Sequence, residues 1–526
     1  MFIQTIHKKT KNKTYTSVVL MENYRENGKV KHRIIANLSK WPPELIDGLR
    51  KILKGNQINT IEDLELTQGK SIGGIFVINQ IAKRLGIRQA LGNSKNGLLA
   101  MVQIAGRILT QGSRHYLAKE WQQLQAIKSV FKLDEFDHYD LYRNLEWLSK
   151  NQEKIEQKIF LFRHKNKPIK QIFLYDVTSS YLEGEQNELA DYGYNRDKKQ
   201  GKKQIVVGLL TDDEGCPVSA EVFKGNTNDL RTVSSQLQKL KKIFGVEKVV
   251  FVGDKGVIKS AQIEEITSND YTWHYLTSIT KQQIKALVKQ KVIQLELFTD
   301  ELVEVEFEGV RYILRRNPYR AEAIQKNRKE RIDVIQDFVR QQNRYLALHS
   351  KAKVEVALRR IKEKIEKLKL ENIFKVTVEN RQIHLELDEI KLKELEDLDG
   401  CYVIKTDVPM EELDTTKAHD RYKDLAKVEM AFRVMKTTME EIRPIYVRKE
   451  AHTRGHVFVV MLAYMIIKYI RDTLADMGYS KKFIFESLDK INELYYTYEG
   501  KQIRILPKKL LKAQEDILNG LKIKLR

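Results

Sequence analysis

Apolar positions along the chain repeat with two different periods, and the changes of period divide it. The first fifty residues alternate in short stretches, TYTSVVLMENY (14–24) and KVKHRIIANL (29–38), separated by Glu26-Asn27-Gly28. Alternation of this kind predicts half-buried strands, and Asn-Gly between two such runs is a strong hairpin-turn signal. Pro42-Pro43 then breaks the pattern ahead of a helix predicted over 44–54. Over 75–160 the apolar spacing becomes helical, as in IFVINQIAKRLGI (75–87) and GLLAMVQIAGRIL (97–109). Gly86 falls between two helical patterns, so this part is either a helix-turn-helix or an ordinary helical bundle.

From about residue 170 the period changes again. QIFLYD (171–176) is a continuous apolar run ending in an acid, as expected of a central strand. QIVVGLLT (204–211) and PVSAEVF (217–223) flank the turn Asp212-Asp213-Glu214-Gly215 and predict an antiparallel hairpin. A helix starts at Asn228-Asp229 and continues through Leu230, Val233, Leu237, Leu240 and Ile243; KVVFVGD (248–254) is a further buried strand ending in an acid. Strand, strand, strand, helix, strand is the opening order of a ribonuclease-H fold. Residues 270–408 interrupt it with β-like pieces around a long charged helical stretch near 320–370. One helix is then predicted over 420–440 and an apolar one over 454–473.

The expected fold class is therefore multidomain α/β, a ribonuclease-H-like core split by a β-rich inserted domain. Its parts are an N-terminal β-rich domain (1–60), a helical domain expected to bind DNA (61–165), the first part of the core (166–269), an inserted α+β domain (270–408), the second part of the core (409–478) and a helical, basic C-terminal segment (479–526).

Composition narrows the partners. The 93 Lys and Arg against 71 Asp and Glu give a net charge of +22, a field that favours polyanions, of which nucleic acid is the commonest large one. Two cysteines, Cys216 and Cys401, exclude a disulfide framework and a four-ligand thiolate zinc site. The N-terminus has no secretory apolar stretch, and the run Val457–Ile467 stops at Lys468, too short to span a bilayer. The expectation is a cytoplasmic protein without a membrane partner.

Asp176 and Asp254 each close a buried strand, so if those strands are neighbours the two acids lie side by side. A third acid is expected from a later helix. In DRYKDLAKVEMAFRVMK (420–436), Tyr422, Glu429 and Lys436 are spaced by seven, and at about 100° per residue they line one face with a drift of only about 20°. Arg433, four beyond Glu429, shares that face, while Leu425, Val428, Phe432, Met435 and Met439 form the adjoining apolar stripe. Three converging carboxylates suit two divalent ions roughly 3.5–4 Å apart, the arrangement of metal-assisted phosphoryl transfer. His419, Asp420, Asp424, Glu440 and Asp407 crowd the same helix as possible supporting ligands.

These residues and their neighbours resemble a known family. Phe173-Leu174-Tyr175-Asp176-Val177-Thr178-Ser179-Ser180, Gly193-Tyr194-Asn195, Val222-Phe223-Lys224-Gly225-Asn226-Thr227 and Val252-Gly253-Asp254-Lys255-Gly256 are similar to segments of bacterial insertion-sequence transposases of the DDE type. The closing stretch resembles the branch with a tyrosine–arginine–glutamate–lysine signature, the insertion-sequence-four superfamily. Tyr422, Glu429 and Lys436 match its spacing, and Arg443-Pro444-Ile445-Tyr446 and Arg454-Gly455-His456 extend the likeness. Leu425 stands where the signature has arginine.

The resemblance implies a cut-and-paste transposase in which Asp176, Asp254 and Glu429 are catalytic and hold two Mg²⁺ or Mn²⁺ ions. Lys436, with Tyr422 and Arg433, would hold phosphates near the scissile bond. The DNA partners would be double-stranded terminal repeats and target DNA, bound by a homodimer in the synaptic complex. It also implies an insertion between Asp254 and Glu429 that contacts transposon ends, where a stacking aromatic often receives a flipped base; Trp273, at its edge, is either that aromatic or core. Arg315, Arg316, Arg320, Lys326, Arg328, Lys329 and Arg331 form the expected DNA-backbone track, against the alternative of a solvated helix face. The rival functions are a metal-dependent nuclease on the same fold and a DNA-binding protein with a decayed core. An aspartyl phosphatase is disfavoured because Thr178 stands where such sites have a second aspartate.

Overall fold

Alternating side chains and one Asn-Gly turn build the first of two units in the computed structural model, which describes residues 1–10, 13–55, 65–67, 71–165, 171–197, 199–268, 273–436, 446–498, 501–507 and 509–525. That unit comprises Met1–Ile72 with Lys490–Leu511 and the last two residues; the second comprises Gly73–Asp489 with Lys512–Lys524. In the first, strands β1 (Phe2–Thr10), β2 (Lys13–Glu26) and β3 (Lys29–Asn37) form an antiparallel meander. Asn27 and Gly28 both have positive φ, 53° and 76°, the backbone a tight β2–β3 turn requires. Helix α1 (Pro43–Leu53) begins on the predicted proline break. A second small sheet joins β4 (Glu65–Thr67) to two strands from the far end of the chain, β15 (Leu494–Tyr498) and β16 (Lys501–Ile505). The C-terminal segment is thus not simply helical. Its LYYTY and KQIRI runs carry aromatic and β-branched residues that favour a pleated surface, and β4, the partner of β15, lies more than four hundred positions away.

The second unit opens with α2 (Gly73–Arg84), α3 (Ile87–Leu91), α4 (Lys95–Leu109), the short α5 (Arg114–Tyr116) and the long α6 (His138–His164). Every residue of α4 from Gly97 to Ile108 is buried, so this helix lies inside the packed helical region.

The central sheet has eight strands in the order β10-β11-β14-β9-β8-β5-β6-β7. The chain enters it through β5 (Ile172–Tyr181), β6 (Gln204–Asp212), β7 (Pro217–Phe223), α7 (Val233–Lys242), β8 (Val249–Gly253), α8 (Ser260–Thr267) and β9 (Trp273–Ser278). β5, β6 and β7 are antiparallel neighbours, and β8 and β9 run parallel to β5 on its other side. Phe173, Tyr175, Phe251, Leu237, Leu240 and Trp273 share its apolar core.

The insertion consists of α9 (Lys281–Lys289), β10 (Val303–Phe307), β11 (Val310–Arg316), α10 (Pro318–Leu348), α11 (Val354–Leu368), β12 (Phe374–Glu379), β13 (Gln382–Leu387), α12 (Glu389–Glu396) and β14 (Cys401–Thr406). It is less β-rich than expected, because α10 and α11 dominate it. Nor does it merely interrupt the core: β14 pairs with β9, and β11 and β10 continue the same sheet. α10, α11, β12 and β13 close round an apolar centre built on Ile335, Ile361, Ile373 and Ile383, and a second centre, with Ile284, Leu314, Leu398 and Val403, lies among α9, β11 and β14.

The chain then returns through α13 (Thr415–Lys423), α14 (Leu425–Lys436), α15 (Glu450–Thr473), α16 (Lys481–Asp489) and α17 (Lys512–Gly520). α15 is long and apolar enough to cross a membrane, yet 83% of its apolar window is buried inside the protein. It packs on α6 and α4, and a Cβ at Gly455 would lie 2.2 Å from the Leu145 carbonyl oxygen, so glycine sets how closely α15 approaches α6.

Candidate active site

The parallel pairing of β5 with β8 ends at Tyr175 opposite Gly253. The next residue on each strand is an aspartate, which puts Asp176 and Asp254 side by side. Asp254 follows β8 directly, as expected, but Asp176 does not end its strand: β5 runs on to Tyr181, still paired with β6, and Asp176 faces Leu209 in that register. Thr178 and Tyr181 in VTSSY sustain the extended conformation. Helix α14 lies beside β5, with Leu425, Val428, Phe432 and Met435 buried and Glu429 exposed.

Asp176, Asp254 and Glu429 line one open cleft of about 550 Å³, together with Thr178, Arg196, Asp229, Phe432, Arg433 and Lys436. One oxygen of Asp176 accepts from the Val177 amide at 2.7 Å. One oxygen of Asp254 accepts from the amides of Gly256 and Val257 at 2.8 and 3.0 Å. Among the described residues none of the three carboxylates has an ion-pair partner. Asp176 keeps some exposure to the cleft but is walled in by protein on most sides. Burial pushes its carboxyl up to about 7, the charges of Asp254 and Glu429 add to the rise, and the Val177 amide and Arg196 oppose it.

The other expected residues divide. Lys436 reaches the cleft and is fixed there by Asp197, 3.1 Å from Nζ, both side chains being nearly buried. Arg433 lines the cleft and is exposed. Tyr422 does not line it. A turn at Asp424 separates α13 from α14, so the single helix expected over 420–440 is two and the seven-residue register does not carry through it. The Tyr422 hydroxyl donates to Ser278 Oγ at 2.8 Å; burial, opposed by that bond, raises its pKa, and the three acids add to the rise. Met439, Glu440, Arg443, Pro444 and Ile445 lie outside the described residues.

The possible supporting ligands are engaged elsewhere. His419 is buried, its Nε2 2.7 Å from the Tyr402 hydroxyl and its Nδ1 3.2 Å from Asp420. Asp424 pairs with Arg421 and Lys427, and Asp407 accepts from the Tyr275 amide and faces His274. Trp273 is core: it is buried, and its indole N–H donates to the Glu247 carbonyl at 3.0 Å.

The expected DNA track is not one surface. Arg315 donates to the Asp300 carbonyl, Arg316 to the carbonyls of Asp399 and Glu396, and Arg328 to the buried Asp399 carboxylate at 2.7 Å. Arg320, Lys326, Lys329 and Arg331 are exposed. At about 100° per residue on α10, however, Lys326 and Lys329 stand on the far side from Arg320 and Arg331. Arg320, Arg328 and Arg331 line a separate pocket of about 410 Å³ with Lys369.

Sequence reasoning missed Arg196, Asp197 and Asp229. Arg196 and Asp197 sit in a loop and Asp229 opens a short helical turn (Asp229–Thr232), and none of the three belongs to an apolar pattern that marks a site. The available signal was position: Arg196-Asp197 directly follow Gly193-Tyr194-Asn195, a segment that carries part of the family resemblance.

Comparison with known proteins places the chain in a family. Residues 167–466, more than half of the chain, match the transposase DDE domain, and the chain belongs to that family of phosphoryl-transfer enzymes. More narrowly, residues 3–63 match the N-terminal domain of IS1634 family transposases. No curated protein matches the chain. Among solved structures it is similar to the piggyBac transposase in its synaptic complex with hairpin DNA, at 8% identity and a TM-score of 0.38, over 80% of this chain and 82% of that one.

Proposed function

We propose that the protein cuts DNA at the ends of its own element and joins the freed 3′-hydroxyl to target DNA, the cut-and-paste reaction. The observation that carries this reading is the convergence of Asp176, Asp254 and Glu429 on one cleft that also presents Arg196, Arg433 and Lys436. We read the β7-β6-β5-β8-β9 order as a ribonuclease-H-like core, and the chain as a member of the tyrosine–arginine–glutamate–lysine branch in which Leu425 replaces the arginine.

The cleft suits the divalent ions that such enzymes typically use. Its donors are three carboxylates, hard oxygen ligands, and they line an open space. Among the described residues they do not form a closed ligand cluster. A bound Mg²⁺ or Mn²⁺ pair supplies activation of the attacking oxygen and stabilisation of the leaving one. The chain's own part is positioning: β5 and β8 fix the two aspartates, and α14 brings Glu429 from across the cleft. Arg433 and Lys436 give the phosphate cationic contacts, Lys436 at a place set by Asp197. Because two element ends must be brought together, a homodimer on double-stranded DNA is the assembly we expect.

The test is strand transfer with Mg²⁺ or Mn²⁺ on the DNA termini flanking the gene, comparing wild type with Glu429→Gln. End-specific cleavage and joining, lost in the variant while DNA binding persists, supports the reading. Cleavage without joining replaces it with a nuclease, and binding without chemistry in either protein replaces it with a DNA-binding relic.

A further inference from the structure

A fourth carboxylate stands on the cleft. Asp229 lines it with Asp176, Asp254 and Glu429, and unlike those three, among the described residues, it has a cation of its own, the Arg196 guanidinium. The two side chains are only 28% and 25% exposed, Arg196 and Asp229 in turn. Arg196 is also close enough to Asp176 for its charge to oppose the rise that burial causes in that carboxyl. One arginine thus stands within reach of two carboxylates and pairs with the one outside the catalytic set.

Both partners are fixed from their backbones. The Arg196 amide donates to the buried Ser179 Oγ at 2.9 Å. The next residue, Asp197, accepts from the Tyr181 amide at 3.2 Å and from Lys436 Nζ at 3.1 Å. The segment is tied in this way to β5 and to α14, which leaves the Arg196 side chain as the part that can change partner. Asp229 opens the turn Asp229–Thr232, capped by Asn228, whose Oδ1 accepts from the Leu230 amide at 3.1 Å. The Tyr175 hydroxyl donates to the Thr232 carbonyl at 3.3 Å, and Gln262 Nε2 donates to the Leu230 carbonyl, also at 3.3 Å. Tyr175 directly precedes Asp176, so the turn that carries Asp229 is keyed to the strand that carries the first catalytic acid.

A guanidinium stays charged at any ordinary pH, and its fork of donors matches a carboxylate. Beside Asp176 and without another acid, it would pair there, and a divalent ion would have to displace it. We infer that Asp229 is a positioning residue that holds Arg196 away from Asp176 and so keeps the catalytic carboxylates open to divalent ions. This rests on the transposase reading above, in which Asp176, Asp254 and Glu429 are the ligands.

The experiment is calorimetric titration of the full-length, DNA-free protein with Mn²⁺. It compares wild type, Asp176→Asn, Asp229→Asn, Asp229→Glu, Arg196→Gln and the double variant Asp229→Asn with Arg196→Gln, each with a melting curve in EDTA. Asp229→Asn should weaken Mn²⁺ binding by about fivefold, the strength of one partly screened ion pair. Asp229→Glu, which keeps a carboxylate for Arg196, should recover that loss. Removing a negative charge near the ions also weakens their binding directly, so the coupling decides. Arg196→Gln should tighten binding several-fold more in the Asp229→Asn protein than in wild type. The cycle is repeated with Asp229→Ser, so that a folding defect of one substitution does not settle it. Equal factors in the two backgrounds, or Asp229→Asn binding Mn²⁺ like wild type, overturn the inference and leave the transposase reading standing. Wild-type Mn²⁺ binding that Asp176→Asn does not change sinks the metal site itself, and the inference with it.

Discussion

Tyr175 lies directly opposite Gly253, the last pair in register between two parallel strands, and each is followed by an aspartate. The pairing thereby sets Asp176 and Asp254 at one level of the sheet. Burial raises the carboxyl of Asp176, and the like charge of Asp254 held beside it adds to that rise.

Asp176→Asn should therefore stabilise the protein while abolishing its chemistry. In EDTA we expect it to exceed wild type by about 1 kcal/mol in denaturant unfolding. Mg²⁺ or Mn²⁺ should raise the Tm of wild type and not that of the variant. Equal responses to the ions would remove Asp176 from the ligand set.

Arg433→Ala should slow cleavage by about 100-fold, the scale of losing one charged contact to a phosphoryl oxygen. Its side chain is exposed and pairs with no carboxylate among the described residues, so Tm should not move. Single-turnover rates beside melting curves separate the two effects.

On α10, Arg320 and Arg328 should behave oppositely. Arg328→Ala leaves the fully buried Asp399 without its nearest cation and should cost about 3 kcal/mol of stability. Arg320→Ala should leave stability unchanged and, if this face meets DNA, reduce the salt slope of binding by about 1. An unchanged slope would take the face out of the DNA path.

Beneath the sheet, Glu156 is wholly buried, 3.8 Å from Lys239, and accepts from Ser219 Oγ at 3.0 Å and from Gln152 at 2.7 Å. Its burial raises its pKa against those partners. Glu156→Ala should cost about 3 kcal/mol, and Glu156→Leu combined with Lys239→Met should recover most of that. Urea unfolding of the single and double variants decides whether the pair acts as a unit.

His274 gives a pH dependence. Its Nδ1 lies 3.3 Å from the Asp407 carboxylate, and that contact raises its pKa against the opposing effect of burial. A raised pKa in the folded chain means stability fully present below the ordinary imidazole value of about 6.5 and lost as pH rises through the folded value. The Tm difference between wild type and His274→Asn should shrink over that window. Partial exposure keeps the effect to no more than about 1 kcal/mol.

Local pattern determined a good deal of this protein. The Asn27-Gly28 turn, the apolar runs ending at Asp176 and Asp254, and the helix carrying Glu429 were legible because each depends on neighbours within a few residues. Helix and strand periods put these acids at the edges of buried surfaces, and the family resemblance gave them roles. Only the tertiary structure decided what depends on distant partners. The β5–β8 register aligned the aspartates, and the turn at Asp424 broke the helical register between Tyr422 and Glu429. The buried Asp399 and nearby carbonyls claimed three arginines that look free in sequence, and a loop with no period of its own brought Arg196 to the acids. Charge in a sequence says how many cations there are; burial and pairing decide which remain for a substrate.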